Sequence, residues 1–286
     1  MANIFSMTAF GRCSQSNAYS SIECELKTLN NRYLEINLKL PDSVRSLEAT
    51  LRDTTKNKLS RGKLEGFIRI SRGNSNQLSI NEASLQALNQ ALETVSKHSP
   101  SASPANALEL LRSPGILEES QDPDLETLLQ ACFNTALNEL SDARLREGQA
   151  LAKLVLQRVT DIRSKAKILE QKMPALQQKQ HQRLVDKIAE LSSNVDNDRL
   201  EQELVILANK SDVAEELDRL YTHCDEIERI INAGGACGRR LDFMMQELNR
   251  EANTLGSKAV GTEVTQTAVD IKVLIEQMRE QIQNIE

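Results

Sequence analysis

The apolar residues of this chain keep a period of two near its start and a helical period from residue 81 onward, and that single change of rhythm fixes what the chain can fold into. In SSIECELKTLN, Ile22, Cys24 and Leu26 alternate with Glu23, Glu25 and Lys27. In RYLEINLKL, Leu34, Ile36, Leu38 and Leu40 alternate with Tyr33, Glu35, Asn37 and Lys39. Such alternation marks strands with one buried face, and the turn residues of TLNNR predict a hairpin between these two. After Pro41, Val44, Leu47, Leu51 and Leu59 form one helical stripe with Asp42 or Ser43 as the cap, and Arg61-Gly62-Lys63 turns the chain into the strand LEGFIRISR.

Beyond Asn81 the periodicity is helical throughout. Leu85, Leu88, Leu92 and Val95 form a stripe that ends at KHSPSASP, a Ser- and Pro-rich break. Ser103-Pro104 opens a short helix, and Asp122-Pro123 opens a long one running to Met173-Pro174. Further helical stretches from Pro174 to about residue 192 and from about residue 197 to 232 predict a long antiparallel pair. GGACG at 234–238 breaks the chain again. In the last segment Ala268, Ile271, Ile275, Met278, Ile282 and Ile285 recur at spacings of three and four, a coiled-coil-like seam that requires a partner helix in this chain or in another subunit. The expected fold is α+β: a basic α+β domain over 1–80, a helical linker region over 81–125 and an acidic, mainly α-helical domain over 126–286.

Composition agrees with a helix-rich chain, since Trp is absent and only five Phe and three Tyr occur among 286 residues. The formal net charge is -6, yet residues 1–72 carry 12 Lys and Arg against 7 Asp and Glu. A basic start on an acidic remainder suits either a polyanion and a metal on separate parts or salt bridges between those parts. No apolar run approaches the roughly 20 residues of a membrane span, and the start lacks a signal-peptide core, so the expected compartment is the cytoplasm. Five cysteines without CxxC spacing indicate neither a disulfide framework nor a zinc site. P-loop, GxGxxG, HExxH and GxSxG motifs are absent, as is an aromatic-rich RNA-binding strand.

The chemistry-bearing candidates lie on two helices. In RRLDFMMQELNREANTLGSKA (239–259), Leu241, Met244, Met245, Leu248, Ala252 and Leu255 make the buried stripe. Asp242, Gln246, Asn249 and Asn253 line one flank, Glu247 and Glu251 the other, and Phe243 and Arg250 lie between the two rows. Upstream, Asp212, Glu216, Arg219 and His223 run along the edge of another stripe. Glu216 and His223 are two turns and about 10 Å apart, too far to bind one ion without a third group from elsewhere. A solvated helix with surface ion pairs explains these residues as well as a polar cavity with carboxylates for metal or proton transfer.

SMTAFGR (6–12), LNNRYLE (29–35), RGKLE (61–65), LEQELVILANKSDVAEELDRL (200–220), GRRLDFMMQELNREANTLGSKA (238–259) and VLIEQMREQIQNIE (273–286) together closely resemble the YicC family. The one departure is Ala9, where the family often has Gly. The resemblance implies a bacterial cytosolic endoribonuclease that depends on Mn²⁺ or Mg²⁺, assembles as a homohexamer and serves RNA degradation and stress physiology. Joined with the helix reading, it makes Glu216, His223 and Glu247 the catalytic candidates and Asp242, Glu247, Glu251 and His223 the metal candidates. Arg32, Arg61, Lys63, Arg239, Arg240, Arg250 and Lys258 are candidates for gripping RNA phosphates. Phe243 suits either base stacking or an interhelical contact. An RNA-binding adaptor that recruits another ribonuclease is the alternative, and a coiled-coil scaffold is a third reading.

Overall fold

The computed structural model describes residues 3–72, 80–99, 103, 105–116, 122–191, 212–259 and 261–286. Four strands form one sheet: β1 (Ala9–Ser16), β2 (Ser20–Leu29), β3 (Glu35–Lys39) and β4 (Lys63–Arg72). Its order is β1-β2-β4-β3, antiparallel except for the β3–β4 pair. The hairpin joins β1 to β2, where the Asn17 side chain accepts hydrogen bonds from the backbone N–H of Tyr19 (2.9 Å) and Ser20 (2.7 Å).

The hairpin expected between β2 and β3 does not form, because β4 lies between them. Its cause is α1 (Glu48–Lys58), which follows a 3-10 turn over Asp42–Leu47. Val44, Leu47, Leu51 and Leu59 bury against the sheet, and a helix that does so between two strands makes a crossover, which leaves those strands parallel.

The other layer over the same sheet face comes from α4 (Leu125–Leu191), whose Leu129, Cys132, Phe133, Ala136, Leu137 and Leu140 close a core with Ile22, Cys24 and Leu26. Gly11 of β1 lies so close to this helix that a Cβ would collide with the Ala136 carbonyl and the Leu140 backbone. Farther along, α4 gives Val155, Val159, Ile162, Ala166 and Leu169 to a second core, shared with α5 (Ala214–Ala233), α6 (Gly238–Ser257) and α7 (Thr262–Ile282). Cross-helix pairs fix the directions: Arg163 with Asp225 (2.5 Å) and Tyr221 with Glu170 (3.1 Å) set α5 antiparallel to α4, and Lys165 with Asp270 (2.7 Å) and Lys172 with Glu263 (3.1 Å) do the same for α7.

One expectation changes here, and one alternative that the sequence left open is decided. The helix passes through Pro174 instead of ending at it: Pro174 is exposed, and the carbonyl of Glu170 that loses its donor belongs to an exposed residue able to turn to water. The seam of α7 finds its partners within the chain, since Ala268, Ile271, Ile275, Met278 and Ile282 are buried against α4 and α6. The stretch from about 197 that was expected to open the second antiparallel helix lies largely outside the described residues. Between β4 and α4 in the sequence, α2 (Glu82–His98) buries no residue, and α3 (Ala107–Arg112) is capped by Asn106 with Glu109 in a reciprocal capping box.

Both ends of the chain stitch the sheet to the bundle. Met7 N–H donates to the Asn284 carbonyl (2.8 Å), Glu286 N–H to Phe5 (2.9 Å) and Ser6 N–H to Arg144 (2.9 Å). Arg144 is buried on α4, pairs with the Glu286 carboxylate and donates from Nε to the Ser6 carbonyl (2.7 Å). No helix among the described residues is long and apolar enough to cross a membrane.

Candidate functional site

The GGACG break delivers α6 to this seam. Gly238 packs so tightly under the strap that a Cβ would strike the Ile285 carbonyl. The N-terminus of α6 has no side-chain cap and no acid in its first turn, where Arg239 and Arg240 stand instead. Cations at the positive end of a helix dipole cost roughly 0.3–1 kcal/mol each, so this first turn carries the charge opposite to the one the dipole favours. A pocket of about 320 Å³ opens there, lined by Asn30, Arg61, Gly238, Arg239, Asp242 and Gln283 over a floor of Met7, Ile282 and Ile285. Arg61 is held by its Nε–H to the Asn31 carbonyl (3.1 Å), and Asn30 Nδ2 donates to the Gln283 carbonyl (2.7 Å). Asp242 accepts from Gln246 (3.1 Å) and has Arg279 at 3.9 Å.

On its other flank α6 faces α5 across a ladder of opposite charges. Lys258 meets Glu216 at 2.9 Å, Arg219 meets Glu251 at 3.5 Å and Arg240 meets Glu226 at 3.6 Å. Glu216 and Glu251 are both buried. Arg229 and then Arg240 hold the Glu226 carboxyl below the usual carboxylate range. Inside this ladder, one turn from Arg219 and one turn from Glu251, stand His223 and Glu247. Both are half-buried, and neither hydrogen-bonds or ion-pairs with any other described residue.

The predicted residues therefore fall into two groups with a remainder. Arg61, Arg239 and Asp242 meet in the pocket; Glu216, His223, Arg240, Glu247, Glu251 and Lys258 line the groove. The expected metal set is not gathered. Asp242 lies on the pocket flank, nine residues and about 13 Å along the helix from Glu251, and among the described residues no three His, Cys, Asp or Glu side chains could hold a metal ion. Lys63 stands apart on the sheet, paired with Glu65 at 2.7 Å. Arg250 is exposed on the outer side of α6, and Arg32 is exposed in the loop beside Arg61. Lys258, expected to grip phosphate, is instead the counterion of Glu216. Asn30, Gln283 and Arg279 escaped sequence reasoning because only the fold brings residues 30 and 283 together.

Family models cover both units: one described as the endoribonuclease YicC-like N-terminal region matches residues 4–153, and one for the endoribonuclease YicC-like C-terminal part matches 169–286. The chain belongs to the YicC-like endoribonuclease family. It is 41% identical over 288 residues to the probable endoribonuclease YicC of Haemophilus influenzae, covering 99% of this chain and 100% of that protein. It is 31% identical over 292 residues to the probable endoribonuclease YicC of Clostridioides difficile, covering 98% and 99% respectively. In this YicC-like chain the pocket lies at the start of α6, and the charge ladder runs from Arg240 to Lys258 along another flank of the same helix.

Proposed function

We propose that this chain is an endoribonuclease that seats an RNA phosphate in the pocket at the start of α6 and cleaves a phosphodiester bond with side chains of the α5–α6 groove. The observation that carries this reading is that His223 and Glu247, both half-buried, have no hydrogen-bond or ion-pair partner among the described residues, on a strip where Glu216, Glu226 and Glu251 are each matched by a cation. Phosphodiester cleavage needs a base for the attacking hydroxyl, positive charge near the phosphate oxygens and an acid for the leaving oxygen. Histidine is suited to proton transfer, Glu247 to orienting it, and Arg61 and Arg239, which line the pocket, to the phosphate charge. The names of the two relatives support the reaction class.

Dependence on Mn²⁺ or Mg²⁺ is a separate part of the proposal. Glu216 and Glu251 are engaged by Lys258 and Arg219, so the described residues of the groove as arranged do not fit a resident ion. Assembly as a homohexamer and action in cytoplasmic RNA turnover under stress complete the reading; exposed Ile168, Val269 and Val273 supply apolar surface for self-association.

Incubating purified protein with labelled hairpin RNA, with EDTA or with added Mn²⁺, tests the reading. Cleavage by the His223→Ala and Glu247→Gln variants should fall about 10²-fold or more while RNA binding persists. Undiminished cleavage by both removes the groove from the mechanism. Binding without cleavage by the wild-type protein supports the adaptor instead.

A further inference from the structure

This chain spends its few aromatics outside its cores. Of five Phe and three Tyr, only Phe133 is buried in a core, whereas Phe10, Tyr19, Tyr33, Phe67 and Phe243 are exposed. Burying an aromatic ring is one of the largest stabilising gains a residue can make, so leaving five in water points to another use. Tyr33 is the most exposed of them, at 66%.

Tyr33 is also firmly presented. Its loop is pinned before the ring by Asn30 to the Gln283 carbonyl (2.7 Å) and by Arg61 to the Asn31 carbonyl (3.1 Å), and after it by Glu35 N–H to the Gly62 carbonyl (3.0 Å). Asn30 and Arg61, which do the pinning, line the phosphate pocket. The Arg32 guanidinium lies 5.4 Å from the ring centroid, which leaves the ring polarised and one side of it covered by a planar cation. On α6, Phe243 is 57% exposed, one turn beyond the pocket residue Arg239 and outside the pocket lining.

We propose that Tyr33 is a base-stacking residue for single-stranded RNA, receiving a nucleobase beside the phosphate that Arg61 and Arg239 hold. This rests on the RNA-cleaving reading and adds to it a single-stranded substrate segment at the pocket. Stacking on a π face is tolerant of sequence and an uncharged ring displaces no counterion, so the contribution of Tyr33 is insensitive to salt whereas that of Arg61 is not.

The test uses the full chain, fluorescence anisotropy and an oligoribonucleotide carrying 2-aminopurine. Tyr33→Ala should weaken binding about 5-fold to 100-fold, with an unchanged salt slope and reduced quenching of 2-aminopurine in the saturated complex; Tyr33→Phe should restore both. Arg61→Ala should weaken binding while making the salt slope shallower and leaving the quenching in place. Wild-type affinity and quenching in Tyr33→Ala overturn the stacking role while leaving the phosphate pocket standing. Failure of the wild-type protein to bind the oligonucleotide overturns both.

Discussion

Tyr221 lies between α5 and α4, where its hydroxyl donates to Glu170 at 3.1 Å. Burial, then the hydrogen bond to that carboxylate, pushes the phenol up to about 12 from an ordinary 10.0. A proton held more tightly in the folded state stabilises it fully below the ordinary value, and that contribution is lost as pH rises through the folded one. Thermal stability should therefore fall between about pH 10 and 12 in the wild type and fall less in Tyr221→Phe, and ultraviolet titration should show the latest phenolate transition missing from that variant. The side of a helix on which a residue sits was legible in the sequence: Leu241, Met244, Met245, Leu248, Ala252 and Leu255 are all buried, and Glu247 and Glu251 share the flank facing α5. Which residue each charge would choose was not legible. Glu216 takes Lys258, 42 positions away, because the turn between α5 and α6 sets a register that periodicity does not contain.

Among the elements, α6 joins the pocket to the groove, so its seating matters more than its propensity. Gly238→Ala should push its first turn off the Ile285 carbonyl, cost about 1–3 kcal/mol in chemical denaturation and weaken RNA binding disproportionately to Leu255→Val, a core change at the far end of the same helix. Equal loss of RNA affinity in the two variants would separate the pocket from the seating of α6. Strands β2, β3 and β4 and the buried face of β2 were readable from the sequence, whereas β1 was missed and strand order was not readable: TLNNR has the composition of a hairpin turn, but the stripe of α1 needs the sheet beneath it and draws β3 parallel to β4. The same loop, freed from hairpin duty, presents Tyr33 beside the pocket.

For the whole molecule the decisive contact is Arg144 with Glu286, whose side chains are 4% and 13% exposed. Removing one partner of a buried pair leaves a charge without compensation, so Arg144→Ala should lower stability by about 3–5 kcal/mol, measured by urea unfolding. It should also sharpen proteolysis at the junction of sheet and bundle; cleavage confined elsewhere would contradict this role for the strap. No local pattern announced the pair, since its members lie 142 positions apart and each reads as an ordinary surface charge. The division of the chain into a sheet part and a helical part was plain in the change of period, but the sharing of α4 between both cores was hidden, because a helix stripe does not say what it faces.

That sharing sets the timing of biosynthesis. The last strand ends at Arg72, the residues that roof it arrive with Leu129 to Leu140, and Phe5 and Met7 wait for residues 284–286 to pair with them. At about 5–20 residues per second, more than 200 residues of synthesis separate a finished set of strands from a finished fold, an interval of roughly 10–40 s. During its first part, until Leu129 to Leu140 emerge, the sheet face lacks the roof that α4 supplies. The first residues therefore stay unmatched until residues 284–286 emerge, and whatever shields nascent chains has the segment around Phe5 and Met7 to cover until then.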